Sequence, residues 1–255
     1  MCRLFGIRLA VHFTFLLLLA YVAWAGWMDG GWAGVGWSLV FVALLFTCIV
    51  LHELGHSLTA RRFGIGVPRI LLLPIGGMAE FESIPRQPRR ELLITLAGPA
   101  VNFAFVLLLL PLVPLPHFWS DPDVEVSFRG LGQVVLWINL VMGTFNLIPV
   151  FPMDGGRILR SLLAMRWPYL RATAWAATIG KVLAAVGVVL MALVWHLYLG
   201  ALLFAFIFVA GDLEYRAVKR REEENAQWQL LIRRLYAAPG DDGRDTAVTA
   251  LHGPN

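Results

Sequence analysis

The sequence predicts an all-α polytopic membrane protein of about six transmembrane helices, with a short β-hairpin or re-entrant segment near residues 67–82. Three observations carry this prediction. The 255-residue chain is 58% hydrophobic and only 15% charged, whereas soluble domains are about half apolar and a quarter charged. Its mean hydropathy is +0.70. Its charges fall in clusters between long apolar runs.

A spanning helix needs about 20 mostly apolar residues. In chain order, six segments qualify: 8–28, 36–60, 92–116, 131–149, 173–195 and 197–213. The first follows Arg3 and Arg8, and Ala23-Trp24-Ala25 mimics a signal-peptide cleavage site. Its apolar run is long for a signal sequence and more spans follow, so it reads as an uncleaved helix. The last two are joined tightly around His196-Leu197-Tyr198. Segment 67–82 is apolar but broken by Pro68, Pro74, Gly76 and Gly77, too short and interrupted to span.

Lysine and arginine set the orientation. All but Arg129 and Lys181 of the 21 basic residues fall before span 1, between spans 2 and 3, between spans 4 and 5 (Arg157, Arg160, Arg166, Arg171) or after span 6. The longest opposite loop carries Asp121, Asp123 and Glu125. Both termini are therefore expected in the cytoplasm, with the protein integral to the cell (inner) membrane. The net charge of +4 reads as topology and contact with anionic lipid, and no nucleic-acid partner is expected. Trp24, Trp27, Trp32 and Trp37 read as an aromatic belt at the outer interface. Cys2 and Cys48 imply no disulfide framework.

Span 2 holds His52-Glu53-Leu54-Gly55-His56. On a helix, positions i and i+4 share a face, so His52 and His56 can offer two imidazoles to one zinc ion. Glu53 lies beside that face, where a carboxylate can take a proton from a zinc-bound water. Ionisable side chains inside a hydrophobic span are expensive and functional by default. Glu53 is thus the candidate catalytic base.

A catalytic zinc needs a third protein ligand and an open position. Span 4 also ends inward, in Asn146-Leu147-Ile148-Pro149-Val150-Phe151-Pro152-Met153-Asp154-Gly155-Gly156. Its prolines break the helix, and irregular backbone at membrane depth is tolerated only beside protein or a wet cavity. Asp154 fits two roles there. Alone it would read as a helix N-cap; at the depth of His52 and His56, the ligand reading is preferred.

The HELGH of span 2, the AGPAVN at 97–102 and the NLIPVFPMDGG at 146–156 together resemble the site-2 protease family, in its compact sporulation-type branch. The resemblance covers about residues 1–212. It implies an intramembrane zinc metalloendopeptidase with one zinc per chain, held by His52, His56 and Asp154, with Glu53 as general base. It implies that Asn146 and Pro149 shape the substrate side of the cleft, and that 67–82 offers a strand edge to an unwound substrate. Gly76 and Gly77 fit close backbone approach there, although a simple turn explains them equally. The outer loops are too short for a PDZ domain and the tail too short for a paired CBS module, both found in some relatives.

The domain reading is a six-span protease domain at 1–212 with its catalytic core at about 36–165, a charged cytoplasmic helix at 213–238 and a disordered tail at 239–255. The partners expected are a single-pass membrane protein as substrate and the lipid bilayer, with a homodimer left open. Cys48 shares a face with His52 and His56, but a fourth protein ligand would close the site. Asn102 reads as helix-to-helix glue, Asn146 as either an oxyanion donor or a cap on the broken helix, Glu80 and Glu82 as solvated. His12 and His196 read as packing or interfacial, His117 and His252 as solvated. A catalytically silent membrane scaffold is the rival reading. A metal transporter is disfavoured because the polar intramembrane groups cluster at one depth.

Overall fold

The computed structural model describes residues 2–82, 87–113 and 128–236. The loop with His117, Asp121, Asp123 and Glu125, and the tail 239–255 with His252, lie outside the described residues. Elements run β1 (Cys2–Leu4), β2 (Ile7–Val11), α1 (Thr14–Arg62), β3 (Arg69–Leu73), β4 (Gly76–Glu80), α2 (Pro88–Leu109), α3 (Phe128–Asn146), α4 (Asp154–Ala164), α5 (Tyr169–Val189, ending in a π turn at Leu190–Val194) and α6 (Tyr198–Tyr236). Among the described residues, four helices (α1, α2, α5 with its π turn, and α6) are long and apolar enough to cross a membrane. Their outer faces expose Leu17, Leu107, Val182 and Leu202, as a lipid-facing surface does.

The 49-residue α1 contains the first two predicted spans as two arms. Gly30 and Gly31 leave helical geometry, Gly31 at φ 58°, in the left-handed region that glycine enters freely. The arms fold back on each other with glycine at the contact. A Cβ on Gly26 would lie 2.6 Å from the Gly34 carbonyl oxygen, and one on Gly34 2.0 Å from that of Gly26. Such small-residue contacts let backbones approach where lipid gives no hydrophobic drive. Phe15 meets Phe46 edge-on at 4.6 Å, and Trp27 meets Trp32 at 5.0 Å across the tip.

Residues 8–13, predicted as the start of the first span, are not helical, and the fold is not all-α. The predicted hairpin at 67–82 is present as β3 and β4, but it belongs to a four-stranded sheet of order β1-β2-β3-β4. β2 pairs in parallel with β3, Arg8 opposite Arg69, and the His12 amide extends the ladder to the Leu72 carbonyl at 2.9 Å. Backbone pairing on both sides outweighs the apolar composition that favoured a helix. Ile7, Ile70 and Leu72 are buried in one core with Val50, Leu54 and Ala60 of α1. Arg69 bonds Glu80 twice across the hairpin, each at 2.7 Å. That hydrogen bonding, aided by the guanidinium charge, holds the Glu80 carboxyl below its ordinary pKa, so Glu80 is paired as well as solvated.

The fourth predicted span corresponds to α3, which carries Asn139 on its buried side. The connection after it contains the amphipathic α4, in line with the periodic run that follows Asp154. The fifth and sixth predicted spans meet at a tight turn where His196 adopts φ 54°. α6 then runs unbroken to Tyr236, joining the sixth predicted span to the charged extension. α2 is the central element, packed against α1, α3 and α4. Gly55 of α1 makes this possible, since a Cβ there would lie 2.6 Å from the Ala97 carbonyl oxygen.

Candidate metal centre

His52 and His56 lie one turn apart on the second arm of α1, both buried. Their outer nitrogens are fixed by α2. His52 Nδ1 lies 2.5 Å from Asn102 Oδ1, and His56 Nδ1 lies 2.8 Å from the Ile94 carbonyl oxygen. The Asn102 amide is oriented in turn: its Nδ2 donates to Asn139 Oδ1 at 2.8 Å, and Asn139 Nδ2 donates to the Val135 carbonyl and to Cys48 Sγ. Both Nδ1 atoms thus face oxygen acceptors and carry the ring hydrogens, which leaves Nε2 of each ring as a lone pair.

Asp154 is the first residue of α4, and the N-cap position before it is taken by Met153. Its Oδ2 lies 3.2 Å from His52 Nε2 and 3.1 Å from His56 Nε2, and the two Nε2 atoms are 3.1 Å apart. With the ring hydrogens on Nδ1, three acceptor atoms converge, an arrangement that a shared cation relieves. The triangle also has the right size. Corners of a tetrahedron around zinc at about 2.0–2.1 Å are roughly 3.3–3.4 Å apart. Two nitrogens, one carboxylate and an outer set of hydrogen-bonded supports fit zinc. Asp154 is thus positioned with His52 and His56 to bind a metal ion.

Glycines make the space. A Cβ on Gly98 of α2 would lie 2.2 Å from His56 Nε2 and 2.8 Å from His52 Cε1. Gly155 admits the Ile148 carbonyl, 2.0 Å from where its Cβ would stand, so the loop before α4 folds back onto its first turn. Cys48 is buried one turn before His52 but faces Asn139 and is no part of the ligand cluster.

Glu53 follows His52 on α1, and its Oε2 accepts the Ala79 amide of β4 at 3.2 Å. Gly77 presses on it: a Cβ there would lie 3.0 Å from Glu53 Cγ and 2.9 Å from Ile49 Cγ2. Gly76, at φ 142°, makes the β3–β4 turn. The structure therefore brings Glu53 and Gly77 together, with Gly76 one residue away. Asn146 bonds back to the Met142 carbonyl of its own helix at 3.0 Å, and Pro149 lies exposed in the loop. Asn102 and Gly98 are the functional positions that sequence reasoning undervalued. Asn102 was read as helix glue, and the signal for both was their place in AGPAVN.

Two histidines one turn apart on α1 and the aspartate that opens α4 form a buried cluster able to hold a metal ion, in a chain whose long helices are apolar enough to cross a membrane. The model of peptidase family M50 matches residues 40–118 and 117–194, and the chain belongs to that family, the site-2 proteases. It is 38% identical over 217 residues to a zinc metalloprotease of Methanocaldococcus jannaschii, covering 85% of this chain and 60% of the relative. It is 29% identical over 135 residues to the stage IV sporulation protein FB of Bacillus subtilis, covering 50% of this chain and 42% of that protein. The chain thus spans less than two thirds of the length of these relatives. The solved site-2 protease of Methanocaldococcus jannaschii superposes with a TM-score of 0.59 at 36% identity, covering 84% of this chain and 94% of that structure.

Proposed function

We propose that this chain is an intramembrane zinc endopeptidase that cleaves single-pass membrane proteins near the cytoplasmic face of the bilayer. The observation that carries the reading is the triangle of His52 Nε2, His56 Nε2 and Asp154 Oδ2, closed to 3.1–3.2 Å beside the Glu53 carboxylate. A zinc ion held by His52, His56 and Asp154 would supply Lewis-acid activation of water and of the scissile carbonyl. Glu53 takes the proton from the attacking water and returns it to the leaving amine.

β4 is an edge of the sheet and reaches Glu53 through Ala79. A helical peptide bond is shielded by its own hydrogen bonds. An unwound substrate segment adding to β4 would expose its carbonyl beside Glu53, with Gly77 allowing the close approach. On this reading Asn146 and Pro149 shape the substrate side of the cleft.

The same reading takes the two arms of α1 with α2, α3, α5 and α6 as six spans, residues 1–212 as the protease domain and the later part of α6 as a charged cytoplasmic helix. It puts both termini in the cytoplasm and the chain in the inner membrane. The pairing of β2 with β3 supports this, because it joins Arg8 and Arg69, from two of the basic clusters, in one sheet.

The test is Glu53→Gln in full-length protein co-expressed with membrane-anchored candidates. The variant should keep its zinc and lose cleavage, with uncleaved anchored fragments accumulating in the membrane proteome. Cleavage at the wild-type rate would sink the mechanism. A silent scaffold would show no difference between the two proteins.

A further inference from the structure

The zinc ligands come from α1 and α4, and α2 packs against both. α2 fixes the α1 side through Ile94 and Asn102. It fixes the α4 side through Glu91, one turn before Ile94. Arg160 of α4 is 1% exposed and Glu91 0%. Arg160 Nε donates to Glu91 Oε1 at 3.0 Å and Nη2 donates to the same oxygen, while Nη1 donates to Glu214 Oε1 of α6 at 2.7 Å. The Tyr169 hydroxyl donates to Glu91 Oε1 at 3.3 Å. The rings of Phe151 and Tyr169 lie 5.3 and 5.1 Å from the guanidinium carbon.

A buried ion pair is a weak source of stability, because desolvation consumes most of its Coulombic gain. Geometry is what it does supply. A planar guanidinium engaged by carboxylates on two edges and by aromatic rings admits few positions. Arg160 and the Phe151 ring it stacks on bracket Asp154 in the chain. Phe151 stands three residues before Asp154, and Arg160 itself six after.

We propose that Glu91 and Arg160 are positioning residues for the metal centre: their pairing sets α4 against α2 so that Asp154 Oδ2 meets the two imidazoles. This rests on reading His52, His56 and Asp154 as the zinc site. Neither residue touches the ligand triangle; they act through the placement of α4.

The test uses full-length detergent-purified protein, with zinc affinity read by chelator competition, the visible spectrum of the Co(II)-loaded protein, and a thermal melt. Glu91→Met with Arg160→Met removes both charges at similar volume, so it should melt at or above the wild-type temperature. Its zinc affinity should fall by roughly 10–100-fold, the usual effect of losing an outer support, with an altered Co(II) spectrum. Lys181→Met, which breaks the α5–α6 pair with Asp212, should leave affinity and spectrum unchanged.

If the double variant melts like wild type and binds zinc with wild-type affinity and spectrum, the proposal is wrong. Should the double variant not fold, Arg160→Lys decides: it keeps the charge and loses the fork, and wild-type affinity in it would overturn the proposal. A wild-type protein that binds no zinc would instead overturn the metal-centre reading, and this proposal with it.

Discussion

The amide of Ala79 donates to Glu53 Oε2 at 3.2 Å, so the edge strand of the sheet and the candidate base are one unit. The carboxylate is held by the backbone of the strand proposed to receive substrate. A substrate strand on β4 would therefore be set in register against the residue that moves the proton.

Gly77→Val tests that coupling. A Cβ at Gly77 would come within 3.0 Å of Glu53 Cγ and 2.9 Å of Ile49 Cγ2, so the β-branched side chain must push β4 away from α1. Misplacement by an ångström costs on the order of 10²-fold in rate. Cleavage should fall by about that factor with zinc content unchanged. Undiminished cleavage would detach β4 from the chemistry.

Asp154→Asn separates ligand from cap. Asparagine caps helices as well as aspartate does but lacks the anionic oxygen that zinc prefers. The variant should lose bound metal, measured by elemental analysis, while its melting temperature without zinc stays at the wild-type value. Full metal occupancy would restore the cap reading.

Asn102 is a support whose loss is graded. Asn102→Ala should weaken zinc binding by roughly 10–100-fold, because His52 Nδ1–H loses its acceptor. Asn102→Asp retains an oxygen acceptor and should recover part of that affinity. Chelator competition on the purified proteins measures both. Equal affinity in wild type and Asn102→Ala would return Asn102 to the role of helix glue.

The parts legible in sequence were those encoded locally. His52, Glu53 and His56 are readable because helical spacing places them, and Asp154 because two prolines force irregular backbone at a matching depth. The hairpin at β3–β4 announced itself through Pro74, Gly76 and Gly77. What escaped depends on partners distant in the chain. β2 is strand because β3, some 60 residues on, pairs with it. Asn102 finds His52 fifty residues away. Arg160 was counted among loop charges that set topology, yet Glu91 and Glu214 draw it fully inside.

Gly98→Ala carries the metal-site reading furthest with the smallest change. Alanine is the best helix former, and Gly98 sits within α2, so local propensity predicts a more stable helix. The tertiary position predicts the opposite for the site. The added Cβ would stand 2.2 Å from His56 Nε2 and 2.4 Å from its Cε1, well inside contact distance, so the ring must rotate off its bond to the Ile94 carbonyl. With Nε2 displaced, the triangle with His52 and Asp154 opens. The variant should fold with wild-type helicity by circular dichroism, bind little zinc and cleave nothing. Wild-type zinc content in Gly98→Ala would mean that the imidazoles are not held where the ligand triangle requires them.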